Sequence, residues 1–493
     1  MLIAGTGSGV GKSAVVAGLC RWLAREGVSV APFKAQNMSL NSFVTRDGAE
    51  IGRAQAAQAA AAGIESEAAM NPVLLKPGSD TRSQLIVLGR AVGERDATAY
   101  WGHQDELLEV VVEAYRDLRR RFDVVICEGA GSPAEINLRA TDIVNLGFAR
   151  AADMPVVVIG DIDPGGVFAS LLGTLVALDA QDQALIAGFL INRFRGDRTL
   201  LEPGLTMLAG LTGRPTYGVL PYLPGLAVDA EDAIDARAFA DPAPPHGADI
   251  LRVHVVTYPR ISNHTDVDAL ASEPGVLVRF ATRPEELADA DLVVLPGTRA
   301  TVDDLGWLRG RGFEPVLAER ARRGGPILGI CGGYQLLGEV IDDRVESGRG
   351  RVLGLGLLPV RTAFSAEKTL GRPSTTVAAD PPYEVHGYEI HHGQVVPHGG
   401  EPFVGGCRND SVAGTMWHGL LENDRFRRSY LVEVARQSGR AFTVAPDTSF
   451  AAVREARLDR LADLVAEHAD TAALRALIDG GPPPRPTLRL SLG

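Results

Sequence analysis

The strongest constraint on this chain is its opening stretch, Leu2-Ile3-Ala4-Gly5-Thr6-Gly7-Ser8-Gly9-Val10-Gly11-Lys12-Ser13. A short apolar run enters a glycine-rich turn, reaches Lys-Ser, and continues into a helix-compatible stretch from Ala14 to Arg25. Glycines let backbone N–H groups face a triphosphate, and the helix N-terminus adds positive potential at the same place. Lys12 then reaches the β and γ oxygens, Ser13 can ligate Mg²⁺, and Thr6, Gly9 and Gly11 belong to the cradle. The first glycine of G-x-x-x-x-G-K-[ST] falls on Thr6, with Gly5 one place early. The stretch predicts an ATP site.

Strands and helices alternate downstream. Val28 to Phe33 reads as a second buried strand, Lys34 to Ser42 as a polar loop, and the alanine-rich Glu50 to Ala62 as a helix. Leu107, Leu108, Val111, Val112, Tyr115 and Leu118 recur at helical spacing and form a core-facing stripe. Val124 to Cys127 is an apolar strand that delivers Glu128 ahead of Gly129-Ala130-Gly131. An acid at the end of a buried strand, after a P-loop, suits a metal-holding carboxylate. The candidate metal ligands are therefore Ser13 and Glu128, with Asp47 as a third. Val156 to Ile159 precedes Asp161-Ile162-Asp163, and Ile186 to Ile191 ends at Asn192-Arg193. This alternation predicts a doubly wound, mostly parallel sheet with ligands at the C-terminal ends of its strands.

At 493 residues the chain exceeds what one core can organise. Clustered Pro and Ala mark a linker over 236–249, which separates a P-loop ligase domain at 1–235 from a second α/β series at 250–436. The expected architecture is two doubly wound α/β domains plus a charged helical tail over 437–493. A net charge of −12 with no basic tract excludes a nucleic-acid binder. The four cysteines are far apart, which indicates neither a disulfide framework nor a zinc cluster. No apolar run reaches membrane-spanning length, and residue 1 leads directly into a strand, so the expected compartment is the cytoplasm. Oligomeric state is left open, a homo-oligomer included.

A second chemical centre lies in Ile327-Leu328-Gly329-Ile330-Cys331-Gly332-Gly333-Tyr334-Gln335. A strand, a glycine-flanked turn and a helix place the thiol at an apex, where the helix N-terminus lowers its pKa. Gly332 can offer its N–H to an oxyanion, and Gly297 in the Pro296-Gly297-Thr298 loop can supply another donor. A thiolate nucleophile needs a base. His418, between an apolar strand and Gly419, has the most suggestive context, and His386, His391 and His392 are rivals.

These residues carry a resemblance. Gly-Ile-Cys-Gly-Gly with His418 downstream resembles the class I, triad-type glutamine amidotransferases. The front half resembles the dethiobiotin synthetase-like P-loop ligases in Gly-Thr-x-x-Gly-Val-Gly-Lys and Glu-Gly-Ala-Gly. In this order the two halves resemble the cobyric acid synthase family of cobyrinate amidases. The match runs through APFKAQNMSLNS (31–42), EIGRAQAAQA (50–59), MNPVLLKP (70–77), EGAGSPAEINLRATDIVN (128–145), INRFRGD (191–197), GVLPYLP (218–224), LPGTRAT (295–301), GYEIHHG (387–393) and GTMWHG (414–419). The resemblance implies ATP- and Mg²⁺-dependent amidation of four carboxylates of adenosylcobyrinic acid a,c-diamide, with nitrogen from L-glutamine. It further implies that Gln335 belongs to the glutamine site and that Asn192 contacts adenine.

An anionic corrinoid calls for local cations on a net-acidic protein. The candidates are Lys34, Arg53, Lys76, Arg82 and Arg139, with Gln36, Asn37 and Asn41 as neutral donors and Asp142 as an orienting acid. The chain departs from the family pattern at Gly7, Gly9 and Val10 in the P-loop, at Pro164, and at Trp417. Position 420, where the wider amidotransferase class carries a glutamate, is Leu420, so either a Cys–His dyad or a differently placed acid, with Glu389 a candidate, must serve. The nearest alternative is a cobyrinic acid a,c-diamide synthase. A P-loop ATPase switch would explain only the front half.

Overall fold

The strand predicted at the head of the P-loop, Leu2–Gly5 (β1), is buried along its whole length. Its burial follows from its place inside a six-stranded sheet of the computed structural model, which describes residues 1–79, 82–96, 104–224 and 242–488. The other strands are Val30–Phe33 (β2), Val124–Glu128 (β3), Val156–Asp161 (β4), Ile186–Phe194 (β5) and Thr216–Pro221 (β6). Their order is β6-β5-β4-β1-β3-β2, and every pairing is parallel. Strands covered by helices on both faces read as continuous apolar runs, which explains Val-Val-Ile-Cys in β3 and Val-Val-Val-Ile in β4. The P-loop therefore sits in the crevice at the C-terminal end of a central strand, with Glu128 beside it at the end of β3.

The second sheet has seven strands: Leu251–Val256 (β7), Val276–Ala281 (β8), Leu292–Leu295 (β9), Ile327–Ile330 (β10), Glu401–Phe403 (β11), Gly406–Asn409 (β12) and Val412–Thr415 (β13). Their order is β8-β7-β9-β10-β13-β12-β11, parallel from β8 to β13 and antiparallel in the two pairings at the other edge, β13 with β12 and β12 with β11. Between β10 and β13 the chain makes a smaller sheet that includes Val360–Gly371 and Glu389–Pro397. That excursion faces the first half. Of the predicted linker, 236–241 lie outside the described residues, and 242–249 form neither helix nor strand. Among the described residues, no helix is long and apolar enough to cross a membrane.

Two local readings need correction. The polar stretch 34–42 is not simply a loop: Gln36–Met38 pairs in parallel with Val73–Pro77, and Ser42–Val44 forms a hairpin with Glu50–Gly52. The helix predicted from Glu50 begins only at Arg53 (α2, Arg53–Ala61), because Gly52 is extended and the Glu50 carboxylate is engaged by Lys76. Both errors follow from polar side chains that are buried by tertiary partners.

The helical tail returns to the first half. Phe450–His468 packs lengthwise on the P-loop helix (α1, Lys12–Arg25), and Leu458, Leu461 and Val465 join Val16, Leu19 and Leu23 in one apolar cluster. Ion pairs at the surface flank the seam, half-buried Arg21 with Glu455 and Asp459, and exposed Arg25 with Asp463, and such pairs contribute about 0–1 kcal/mol each. Close approach depends on Gly18, where a Cβ would stand 2.6 Å from the Leu461 carbonyl oxygen and 2.9 Å from Val465 Cγ2. Gly18→Val should cost about 1–3 kcal/mol by overpacking, seen as a lower thermal unfolding midpoint. An unchanged midpoint would mean that the tail does not dock on α1.

Candidate active sites

The first site is organised by the fully buried carboxylate of Glu128. Ser13 Oγ and Lys34 Nζ each donate to Glu128 Oε1 at 2.9 Å, and Gln58 Nε2 donates to Oε2 at 2.5 Å. A buried charge persists only when it is paired and hydrogen-bonded, and these three partners supply both conditions. Lys12 Nζ curls over the turn to the carbonyl oxygens of Gly7 (2.8 Å) and Gly131 (3.2 Å), so it bridges the loops after β1 and β3. Asn192, in β5, donates from Nδ2 to the Val10 carbonyl at 2.9 Å and props the P-loop. Thr6 closes β1 with its N–H on the Ile159 carbonyl. Gly9 and Gly11 both take left-handed backbone conformations in the turn.

Ser13 Oγ and the Glu128 carboxylate are hard oxygen ligands side by side at a P-loop. This donor set fits Mg²⁺, which keeps several waters and takes further ligands from phosphate. Asp47 lies elsewhere in local structure: it is exposed in the hairpin turn after Val44 and accepts a hydrogen bond from Thr45 Oγ1. Gln58 was missed by sequence reasoning. The signal was a pair of glutamines, Gln55 and Gln58, in an otherwise alanine-rich helix, and both are wholly buried.

The second site is built at the ends of β10 and β13. Cys331 sits between β10 and a short helix (Gly332–Leu337) with φ 50° and ψ −109°, a conformation that is strained for any side chain other than glycine. The Thr415 carbonyl accepts its N–H at 2.8 Å, and Sγ lies 3.9 Å from the Ile390 carbonyl oxygen. The flanking glycines are required by packing. A Cβ on Gly333 would lie 1.8 Å from the Leu295 carbonyl oxygen, and one on Gly332 would lie 2.6 Å from Thr298 Cγ2. At Gly297 a Cβ would lie 2.9 Å from the Ser262 carbonyl oxygen and 3.1 Å from His418 Cε1. Gln335 is buried with its amide already engaged by Thr301 Oγ1 and the Gly393 carbonyl.

His418 is held from two sides. Its Nδ1 is 2.7 Å from Asp266 Oδ2, whose other oxygen accepts the Gly419 N–H at 2.8 Å. Its ring stacks on Tyr388 at 5.2 Å, and the two residues exchange backbone hydrogen bonds. Burial alone would lower the imidazole pKa, but the Asp266 carboxylate and Cys331 push it up to about 10. Asp266 is the carboxylate that meets the His418 ring. Glu389 does not, because its carboxylate faces His391 at 3.7 Å. The sequence signal for Asp266 was a run of polar residues, Ser262 to Asp266, that is buried just beyond β7. The rival His392 packs on Gln84, and His386 is exposed.

The cations proposed for the corrinoid do not gather into one open surface. Lys34 serves Glu128, Lys76 pairs with Glu50 at 2.9 Å, and Arg53 pairs with Glu422 at 2.6 Å, all buried. Arg139 is clamped on Asp182, and Asp142 caps its own turn by accepting from the N–H groups of Val144, Asn145 and Gly147. Asn37 donates to Gln55, and the Asn41 carbonyl accepts the Arg53 N–H. Gln36 is half-buried on its strand, and Arg82 is exposed in a turn with Ser79.

A P-loop on one doubly wound sheet and a Cys–His–Asp constellation on another define a nucleotide-binding protein joined to a glutamine amidotransferase. Family models agree: residues 1–233 match the CobQ/CobB/MinD/ParA nucleotide binding domain, and residues 252–426 match the CobB/CobQ-like glutamine amidotransferase domain. The chain is 61% identical over 489 residues to the cobyric acid synthase of Streptomyces coelicolor, covering 98% of this chain and 97% of the relative. It is 60% identical to that of Frankia casuarinae, with coverage of 98% and 97%. Identity to the Mycolicibacterium paratuberculosis protein is 57%, with coverage of 100% and 99%. The chain belongs to the cobyric acid synthase family, and it is an enzyme, a ligase with its own glutamine amidotransferase domain.

An imidazole raised from 6.5 to about 10 stabilises the fold fully below 6.5, and that contribution is lost as pH climbs towards 10. Asp266→Asn should therefore flatten the fall in unfolding midpoint across that window, with the gap to the parent protein widest at its acid end. A gap that stays constant with pH would disconnect Asp266 from the charge on His418.

Proposed function

We propose that the chain uses ATP and L-glutamine to amidate the b, d, e and g side-chain carboxylates of adenosylcobyrinic acid a,c-diamide, yielding adenosylcobyric acid. The observation that carries this reading is near-full-length similarity to relatives named cobyric acid synthase, together with both required centres on one chain. A carboxylate does not react with ammonia at neutral pH. Its oxygen first attacks the γ-phosphorus of ATP, ADP departs, and an acyl phosphate forms. Ammonia then adds to the acyl carbon and inorganic phosphate leaves.

Lys12, at the β and γ oxygens, stabilises charge on the transferring group, and Asn192 keeps the P-loop in shape. Ser13 and Glu128 would hold Mg²⁺, which supplies further neutralisation of phosphate charge when bound. Gln36 and Arg139 lie on the same half as candidate contacts for the corrinoid's arms.

At the second site the Cys331 thiolate attacks the amide carbon of glutamine, with the developing oxyanion met by the N–H of Gly332 and the Gly297 loop. His418 carries the proton that the departing nitrogen needs, so ammonia leaves and a thioester remains. Water then hydrolyses the thioester to glutamate. Asp266 keeps the imidazole in the orientation and charge state for this transfer.

Cys331→Ala should abolish glutamine-driven amidation and leave amidation driven by concentrated ammonium, both followed as ADP release and corrinoid mass. Loss of both would contradict the division of labour between the sites. Lys12→Ala should slow both routes by on the order of 10²-fold or more, the scale of one transition-state stabiliser. Near-normal turnover in that variant would contradict phosphoryl transfer at this loop.

A further inference from the structure

His418 has two supports, Tyr388 and Asp266; the first half of the chain touches the first directly and reaches the second through Asn263. Phe43 packs edge-on against Tyr388 at 5.1 Å, and the Arg53 guanidinium lies 5.4 Å from the Phe43 ring centre and 5.8 Å from that of Tyr388. Arg53 Nη1 is 3.4 Å from the Tyr388 hydroxyl, and Arg53 Nη2 is anchored on Glu422 at 2.6 Å. The other support is reached through Asn263. Its Oδ1 accepts the Ser42 N–H at 2.9 Å, its Nδ2 points at the Tyr388 hydroxyl at 3.4 Å, and its carbonyl accepts the Asp266 N–H at 3.1 Å. Asn263 itself sits in the left-handed region, φ 50° and ψ 39°, which asparagine adopts more readily than most side chains.

Arg53 is also the first residue of α2, and Gln58, which grips Glu128, is on the same helix. Five residues of helix rise span about 7.5 Å. One short rigid element therefore touches the support of the glutaminase base at one end and the phosphate-site carboxylate at the other. A metal ion ligated by both Ser13 and Glu128 would replace their hydrogen bond, and Gln58 would register that change on α2.

We propose that Arg53 and Tyr388 are positioning residues for His418, and that α2 makes glutamine hydrolysis depend on the state of the phosphate site. This rests on the reading of Cys331 and His418 as the glutaminase. Neither residue contacts the reacting atoms in this account. Tyr388 sets the imidazole plane, and Arg53 sets Tyr388.

The test uses the full-length enzyme with three measurements: ammonium-driven ADP release, glutamine-driven ADP release, and glutamate formation with and without ATP plus adenosylcobyrinic acid a,c-diamide. Tyr388→Phe keeps the stacked ring and removes the hydroxyl, and Arg53→Lys keeps the charge on Glu422 and removes the planar fork. In both variants ammonium-driven release should stay within about twofold of the parent. Glutamine-driven kcat should fall about tenfold with KM for glutamine unchanged, as expected when roughly 1.4 kcal/mol of transition-state positioning is lost. Stimulation of glutamate formation by ATP and corrinoid should shrink towards one. Undiminished stimulation would overturn the proposal, and so would an equal fall in the ammonium- and glutamine-driven rates, which marks a folding defect alone. Cys331→Ala is the control for the underlying reading: if it retains glutamine-driven turnover, the glutaminase assignment itself fails.

Discussion

The two halves of this chain act on one product only if they are held in register, and the central grip is the buried carboxylate of Glu50. Lys76 reaches it from the first half and Lys368 from the excursion of the second. Burial by itself would raise the Glu50 pKa, but the two ammonium groups hold it far below the usual carboxylate range. The same burial draws Lys368 down to about 8. Removing one partner from a buried pair leaves an uncompensated charge at a cost of about 3–5 kcal/mol. Beside these ion pairs an apolar cluster of Phe43, Val44, Leu370, Tyr388 and Ile390 joins the two halves. Lys368 also donates to Gln84, whose Nε2 meets His392, so the polar seam is continuous across the boundary.

Each chemical centre repeats the same principle at smaller scale. Glu128 is charged and buried because Lys34, Ser13 and Gln58 surround it, and the P-loop lysine lies across the same loops. Asp266 is buried and engages both the His418 ring and the Gly419 N–H. In both places a buried carboxylate is held by groups from distant parts of the chain. That arrangement is costly to assemble and resistant to distortion once made.

What could be read in advance divides along the same line. Strand runs such as Val124 to Cys127 and the glycine-bracketed Lys12 and Cys331 announce themselves locally, because periodicity and backbone sterics act over a few residues. Glu128 and His418 were legible for the same reason, each at the end of an apolar strand. Asp266 was not, since it meets His418 across 152 residues of sequence. Arg53, Lys76 and Lys34 looked like loop cations available to an anionic substrate. Their partners, Glu422, Glu50 and Glu128, are set by tertiary packing, which no local pattern reports. Glu50 was assigned to a helix because its neighbours are good helix formers, whereas its ion pairs hold it in a strand.

The central claim is that nitrogen freed at Cys331 is used by the ligase half of the same molecule. Ammonia in bulk solution is dilute and mostly protonated, so a local supply has a chemical purpose. The direct measurement is product isotope content when the enzyme turns over amide-¹⁵N glutamine in the presence of excess unlabelled ammonium. The account predicts corrinoid amides that carry ¹⁵N with little dilution. Label diluted to the proportion in the bulk ammonia pool would contradict it.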